Sequence, residues 1–425
     1  MIGQDIHNFA KDLWPLNRSL TGEGNRKTLE KIKEILPELE ICSVKSGTQV
    51  FDWEIPKEWQ VNEAYILTPS GEKICDFSKN NLHLVGYSAP FNGEMKFSEL
   101  KKHLYCLPEQ PNAIPYITSY YNENWGFCIS KNELDKLNDG IYKIVIDSEF
   151  IEGVLNYGEL IIPGLKEKEV FLSTYICHPS MGNNELSGIT VLTYLSKWIK
   201  ELPNKNYTYR IVFIPETIGS IAYLSSNLDK MKKNVFVGFN VSCVGDERSY
   251  SYLPSRDGNT FSDKIAKHIL KWIAPDFKNY SWLDRGSDER QYCSPGIDLP
   301  IASILRTKYG EYPEYHTSLD DLENVVTPKG LEGGFTALKK AIEIIENNLN
   351  YKIKVLCEPQ MGKRGLYPNL STKKINEDTN LMMNFLSYCD GETSLLEIAE
   401  KINYPCWDLY QLIDKLVLNN LLEAK

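Results

Sequence analysis

Histidine is scarce in this chain, and so is any long apolar run. There are 6 His among 425 residues, so a site built on imidazoles has few places to form. No stretch approaches the roughly 18 apolar residues of a bilayer-spanning helix, which excludes a helical membrane anchor. The opening MIGQDIHNFAKDLWPLNRSL carries acids and lacks an apolar centre, so it does not read as a secretory leader. Basic excess is missing too: 47 Lys and Arg stand against 57 Asp and Glu, a formal net charge of -10. That balance argues against general affinity for nucleic acid or an anionic membrane. The 10 Cys contain no C-x-x-C pair and are expected as reduced thiols in a cytoplasmic protein.

What is present is an ordinary globular composition, 42% hydrophobic and 24% charged, in a chain long enough for two or three cores. One stretch organises it, EVFLSTYICHPSMGNNELSGITVLTYLSKWIKEL at 169–202. Val170–Ile176 has strand length and β-branched content, Pro179 and Gly182 punctuate a polar loop, and 186–202 has helical apolar spacing. Strand–helix alternation then recurs. Strands are expected at Tyr207–Ile214, Val235–Val241, Tyr280–Leu283 and Pro300–Leu305, and helices at 216–228, 261–272 and 328–349. The pattern predicts an α/β fold with a doubly wound, mostly parallel sheet over 1–48 and 139–355. Residues 49–138 differ in texture: short aromatic strands and hairpin signals read as an inserted β-rich domain. Its Phe51, Trp53, Trp59, Tyr65, Tyr116, Tyr120, Tyr121 and Trp125 suit a core, a dimer surface or a sugar or peptide groove, so self-association could run through it.

Residues 356–425 read as three short helices in a winged-helix pattern. They carry 7 Lys and Arg against 10 Asp and Glu, which favours protein packing over DNA. Near the other end, Arg18 and Arg26 flank a Ser/Thr/Gly turn that suits an anionic group or a plain capped turn.

In an open α/β sheet, ligands sit beyond the carboxyl ends of the strands. The residues expected there are His178, Asn184 and Glu185 after the first strand, Glu216 after the second, and Asn240 with Ser242 after the third. Arg290, Tyr292, Tyr315 and His316 follow in the later loops. A catalytic zinc takes three N or O ligands and leaves one position open. His178, Glu185 and His316 supply that count for one ion per chain, and Glu216 is left to take a proton from water. Asn184, Asn240, Arg290, Tyr292 and Tyr315 are the expected substrate contacts. Taken singly, each of these residues has a duller role, Glu216 as a helix N-cap acid and Asp320 as the start of a helix.

The run of motifs, a strand–His loop, N-x-L-S-G, P-E-x-x-G, N-V-S-C-V-G and Y-H-T-S-x-D-D, resembles the zinc aminopeptidases of the bacterial leucyl aminopeptidase type. Glutaminyl cyclases share that fold. L-x-R-S-L-T-G-E-G, F-D-W-x-I-P-K-E-W, H-P-S-M-x-N-N-E-L-S-G and G-S-D-E-R-Q-Y-C-S-P-G are similar, more closely, to a bacterial aminopeptidase-like family. Its members carry an inserted β domain and a C-terminal winged helix, often among polysaccharide-biosynthesis genes. In the two-zinc enzymes three further carboxylates bind metal; here Asn184, Thr217 and Ser242 stand in those places. The resemblance therefore implies a single-zinc hydrolase of a small peptide, aminoacyl or N-acyl conjugate. A non-catalytic peptide- or carbohydrate-binding scaffold is the alternative.

Overall fold

The structure, a computed structural model, describes residues 2–120, 122–366 and 377–425. It divides into two compact units, 1–263 with 277–336 and 264–276 with 337–425. The first unit is built on an eight-stranded sheet, in spatial order Glu40–Lys45, Val154–Ile162, Tyr207–Ile214, Lys166–Tyr175, Val235–Asn240, Ile301–Leu305, Ser251–Leu253 and Lys278–Asn279. The central four run parallel. Antiparallel pairs flank them, and Ser251–Leu253 pairs parallel with Lys278–Asn279.

The chain leaves Lys166–Tyr175 to build Tyr207–Ile214 on one side and Val235–Asn240 on the other. The strand order therefore reverses at Tyr175, and the crevice of such a sheet opens at its reversal point. These strands are apolar on both faces, with Val170, Phe171, Leu172, Ile211, Val212, Phe213, Val237 and Phe239 buried, as a sheet covered by helices on both sides demands. Helix Ser187–Glu201 follows the reversal point, its buried side carrying Ile189, Leu192, Leu195 and Ile199.

The insert has its own antiparallel sheet, Lys73–Ile74, Glu58–Leu67, Ile141–Ile151 and Phe91–Lys96. Ile141–Ile151, expected with the α/β domain, thus belongs here: its alternating Tyr142, Ile144 and Ile146 face the insert's core. Tyr121 lies outside the described residues. A second correction concerns 280–283. The strand there is only Lys278–Asn279, because Ser281 and Asp284 form a capping box that turns Trp282–Asp284 into a 3-10 helix.

The second unit holds a three-stranded sheet, Asp390–Ser394, Asn350–Ile353 and Leu422–Ala424. Its helices are Glu377–Ser387, Leu395–Lys401 and Tyr410–Leu418. The sheet begins at Asn350, earlier than the expected boundary at 356. No helix among the described residues is long and apolar enough to cross a membrane.

Gly188 opens helix Ser187–Glu201 at close quarters. A Cβ there would stand 2.5 Å from Thr174 Oγ1 and 2.6 Å from Val241 O. Gly188→Ala is therefore expected to destabilise the protein by about 1–3 kcal/mol despite alanine's better helix propensity. Urea melts of the two proteins check this, and an unchanged midpoint would show that the helix can move away.

Candidate functional site

Past Tyr175 the chain cannot continue as strand. Pro179 has no N–H to give, Ser180 turns back at φ +43°, and Gly182–Leu186 form a π-helical turn, a form that recurs at functional sites. Asp320 fixes that turn: its carboxylate accepts from Asn183 N (2.7 Å), Asn184 N (2.9 Å) and the Tyr312 hydroxyl (2.9 Å). Burial pushes the Asp320 carboxyl up to about 6, against the pull of these donors. Far from merely starting a helix, Asp320 joins the loop bearing His178 to the loop bearing His316.

Backbone strain collects at the same edge. Ser180, Thr217, Cys243 and His316 all have positive φ, conformations that cost energy and cluster at working sites. Buried polar atoms without a hydrogen bond collect there too: Arg18 Nη2, Glu185 Oε1, Asn240 Oδ1, Ser242 Oγ, Asp288 Oδ2 and His316 Nε2.

His178 Nδ1 lies 2.9 Å from Glu185 Oε2, while its Nε2 faces Glu216 Oε2 at 3.9 Å. The Glu185 side chain is 0% exposed, as is that of Arg18, whose Nε stands 3.5 Å from Glu185 Oε1 and donates to His178 O at 3.1 Å. Glu185, expected from sequence as a third ligand, lies behind the imidazole, on the side away from Glu216. Its negative charge is tied to Arg18 and to the ring nitrogen that points away from Glu216. Burial opposes charge on His178, but Glu185 outweighs it and raises the imidazole pKa. Burial likewise raises Glu185.

His316 sits with its ring centroid 5.6 Å from that of His178. Burial and the neighbouring His178 push its pKa down to about 3, so it is neutral at physiological pH. Tyr315 stacks on it at 3.9 Å. Glu216 follows strand Tyr207–Ile214 and is 21% exposed at its side chain; its N–H is held by Cys177 Sγ at 3.2 Å. Beside it Asp288 accepts from Thr217 N and Ser220 Oγ, both at 2.8 Å. Burial, and then the charge of Glu216, push the Asp288 carboxyl up to about 8. Arg290 reaches the same turn through Thr217 Oγ1 at 2.9 Å.

The remaining expected contacts divide. Asn184 is turned inward, its backbone and side-chain oxygens both accepting from Tyr175. Asn240 donates to Glu289 Oε2 at 3.0 Å. Tyr292 is a core residue, fully buried with its hydroxyl 2.8 Å from Ser173 Oγ, because the short helix Glu289–Tyr292 turns it under the sheet. Cys177 is buried, which drives its thiol pKa well up. Arg26 pairs with Glu58 at 2.8 Å and Glu23 at 2.9 Å, so neither arginine of the N-terminal turn is left for an anion. Reasoning from sequence missed Arg18, Asp288 and Tyr116 as parts of this site. The R-S-L-T-G-E-G and G-S-D-E-R motifs held the first two in plain view, whereas Tyr116 had no signal beyond aromatic density. No three His, Cys, Asp or Glu side chains stand together as a metal group among the described residues.

The fold matches known proteins. The family described as domain of unknown function DUF4910 matches residues 7–348, and a winged helix-turn-helix family matches 349–424. The chain belongs to the DUF4910 family. A Clostridium acetobutylicum relative, provisionally named a polysaccharide biosynthesis protein with aminopeptidase-like domain, is 44% identical over 401 residues, 94% of this chain and 91% of its own. A crystal structure from Clostridium acetobutylicum, provisionally named a peptidase, superposes with TM-score 0.93 at 42% identity, covering 100% of this chain and 96% of that one. A zinc aminopeptidase from Bacillus subtilis matches with TM-score 0.59 at 13% identity, over 81% of this chain and 94% of that one, which shows a shared fold. The DUF4910 chain thus has an aminopeptidase-like α/β fold and a winged-helix tail.

Asp288 makes a pH prediction. Its folded pKa of about 8 exceeds the ordinary 3.8, so between those values the native state holds a proton that the unfolded chain has released, and stability falls as pH rises. Asp288→Asn keeps both acceptor bonds without the proton. Its unfolding free energy should fall less than the parent's between pH 5 and 8, measured by denaturant titration; parallel slopes would show that Asp288 ionises normally.

Proposed function

We propose that this protein is a metal-dependent amide hydrolase of aminopeptidase type, with one zinc ion held by His178 and His316 and with Glu216 as proton acceptor. The observation that carries the reading is the pair of imidazoles 5.6 Å apart, one with a buried, unpartnered Nε2 and the other with Nε2 turned towards Glu216. The pair supplies two of the three protein ligands that a catalytic zinc takes. Glu185 supports it from behind, since a carboxylate on the far ring nitrogen fixes tautomer and orientation. When bound, zinc supplies Lewis-acid polarisation of the scissile carbonyl.

The chain's own residues do the rest. Glu216 is the partly exposed carboxylate facing His178, placed to accept a proton from the attacking water and pass it to the leaving amine. Arg290, fixed on Thr217 and Ser287 O, is placed to hold a substrate carboxylate or phosphate. Tyr315 and Tyr116 border the imidazoles. The naming of the Clostridium acetobutylicum relative for polysaccharide biosynthesis supports an amide on an amino sugar or aminoacyl conjugate as substrate. The presence of Asn184, Thr217 and Ser242 where the resembled two-zinc enzymes carry carboxylates, with no three-ligand group among the described residues, favours a second reading, a binding scaffold without catalysis.

Metal analysis with a panel of aminoacyl and N-acyl amino-sugar amides separates the two. The hydrolase should carry about one zinc per chain, lost in His316→Ala. Glu216→Gln should keep its zinc while turnover drops by about 10²–10⁴-fold, the usual worth of a general base. Zinc-free wild-type protein after reconstitution, or full activity in Glu216→Gln, would refute the hydrolase.

A further inference from the structure

The insert reaches into this site at Asn81, which donates to Ser180 Oγ at 3.2 Å, and above all through segment 110–120. Gln110 Nε2 donates to Pro313 O at 2.7 Å, Ile114 N to Ser318 Oγ at 3.0 Å, Ser318 N to Ile114 O at 2.9 Å and Tyr116 N to His316 O at 2.9 Å. Pro115 bridges Thr317 in an antiparallel pair. A β-rich insert, whose core is continuous with Cys177, Ile218 and Ile221 of the α/β part, thus fixes the loop that presents His316. The same segment carries Tyr116, whose ring centroid lies 5.2 Å from that of His178 and 5.1 Å from that of His316, edge-on to the latter. One side chain of the insert therefore touches both imidazoles. Its hydroxyl is 2.8 Å from that of Tyr120, which packs edge-on against Tyr87 at 5.1 Å; Tyr87 stacks on Trp59 at 5.6 Å. This ladder runs into the insert's core and gives Tyr116 a rigid backing. Burial drives the pKa of both phenols well up, so they stay protonated donors.

A core-packing role alone would not put a half-buried phenol against two imidazoles, one of which faces the partly exposed carboxylate of Glu216. The His178 side chain is only 7% exposed, so little room remains beside the pair, and an aromatic wall backed by a packed core does not yield easily. We infer that Tyr116, backed by Tyr120, is a specificity-determining wall: it restricts the acyl side of the substrate to a short chain such as acetyl or glycyl. The inference rests on the two-imidazole metal reading and adds to it the substrate class and the reason for the insert.

Hydroxamates of increasing chain length, which bind zinc without turnover, test it on the zinc-loaded full chain by calorimetry. Wild-type protein should bind acetohydroxamate at least as tightly as hexanohydroxamate. Tyr116→Ala should reverse that order, gaining about three- to fourfold per added methylene that finds cover. Tyr116→Phe keeps the ring and should keep the wild-type order, even if the alanine variant folds poorly. Identical chain-length ratios in wild type and Tyr116→Ala, with zinc bound in both, would overturn the wall while leaving the metal reading intact. A reversed order in Tyr116→Phe would overturn it as well, and failure of wild type to take up zinc would overturn both.

Discussion

The site hangs on a buried negative charge. Glu185, fully enclosed, is held by Arg18 on one side and His178 on the other. Removing one partner of such a buried pair typically costs about 3–5 kcal/mol, whereas an apolar replacement of the whole set is often neutral. A group like this is weak evidence for stability. Arg18 Nη2 and Glu185 Oε1 even lack hydrogen bonds. What the arrangement achieves is orientation: with Nδ1 engaged, the imidazole can present only Nε2 to the open side, where Glu216 and His316 stand. Arg18 also donates to the His178 carbonyl and to Leu13 O, so ring and backbone are set together.

Much of this was legible in the residues. Strand Tyr207–Ile214 and helix Phe261–Ile273 declare themselves through apolar runs and 3.6-residue spacing, and the gathering of His178, Glu216 and His316 follows from the parallel order. Side-chain direction was not legible. Glu185 counts as a ligand by residue type, and only the π-helical turn pinned by Asp320 puts it behind the ring. Tyr292 looks like a substrate contact by position, yet one turn of helix carries it into the core. The strand at 141–151 alternates as any half-buried strand does, and nothing local says which sheet it joins.

Three positions where the resembled two-zinc enzymes carry acids hold neutral side chains here, Asn184, Thr217 and Ser242. Asn184 is spent on Tyr175, Thr217 on Arg290, and Ser242 Oγ has no hydrogen-bond partner. The acid that remains in quantity is behind or beside the centre: Glu185 on His178, Asp288 under the Glu216 turn, Asp320 between the two loops. The insert adds to the enclosure, since its 110–120 segment fixes the His316 loop and sets a phenol against the imidazoles.

Zinc titration of Glu185→Gln beside His178→Ala tests most directly whether Glu185 acts from behind. Loss of a supporting carboxylate costs about 10–100-fold in metal affinity, so Glu185→Gln should bind zinc that much more weakly than wild type while His178→Ala binds none. Equal loss in both variants would make Glu185 a ligand, and unchanged affinity in Glu185→Gln would make its contact with His178 irrelevant to the metal; either result contradicts the account.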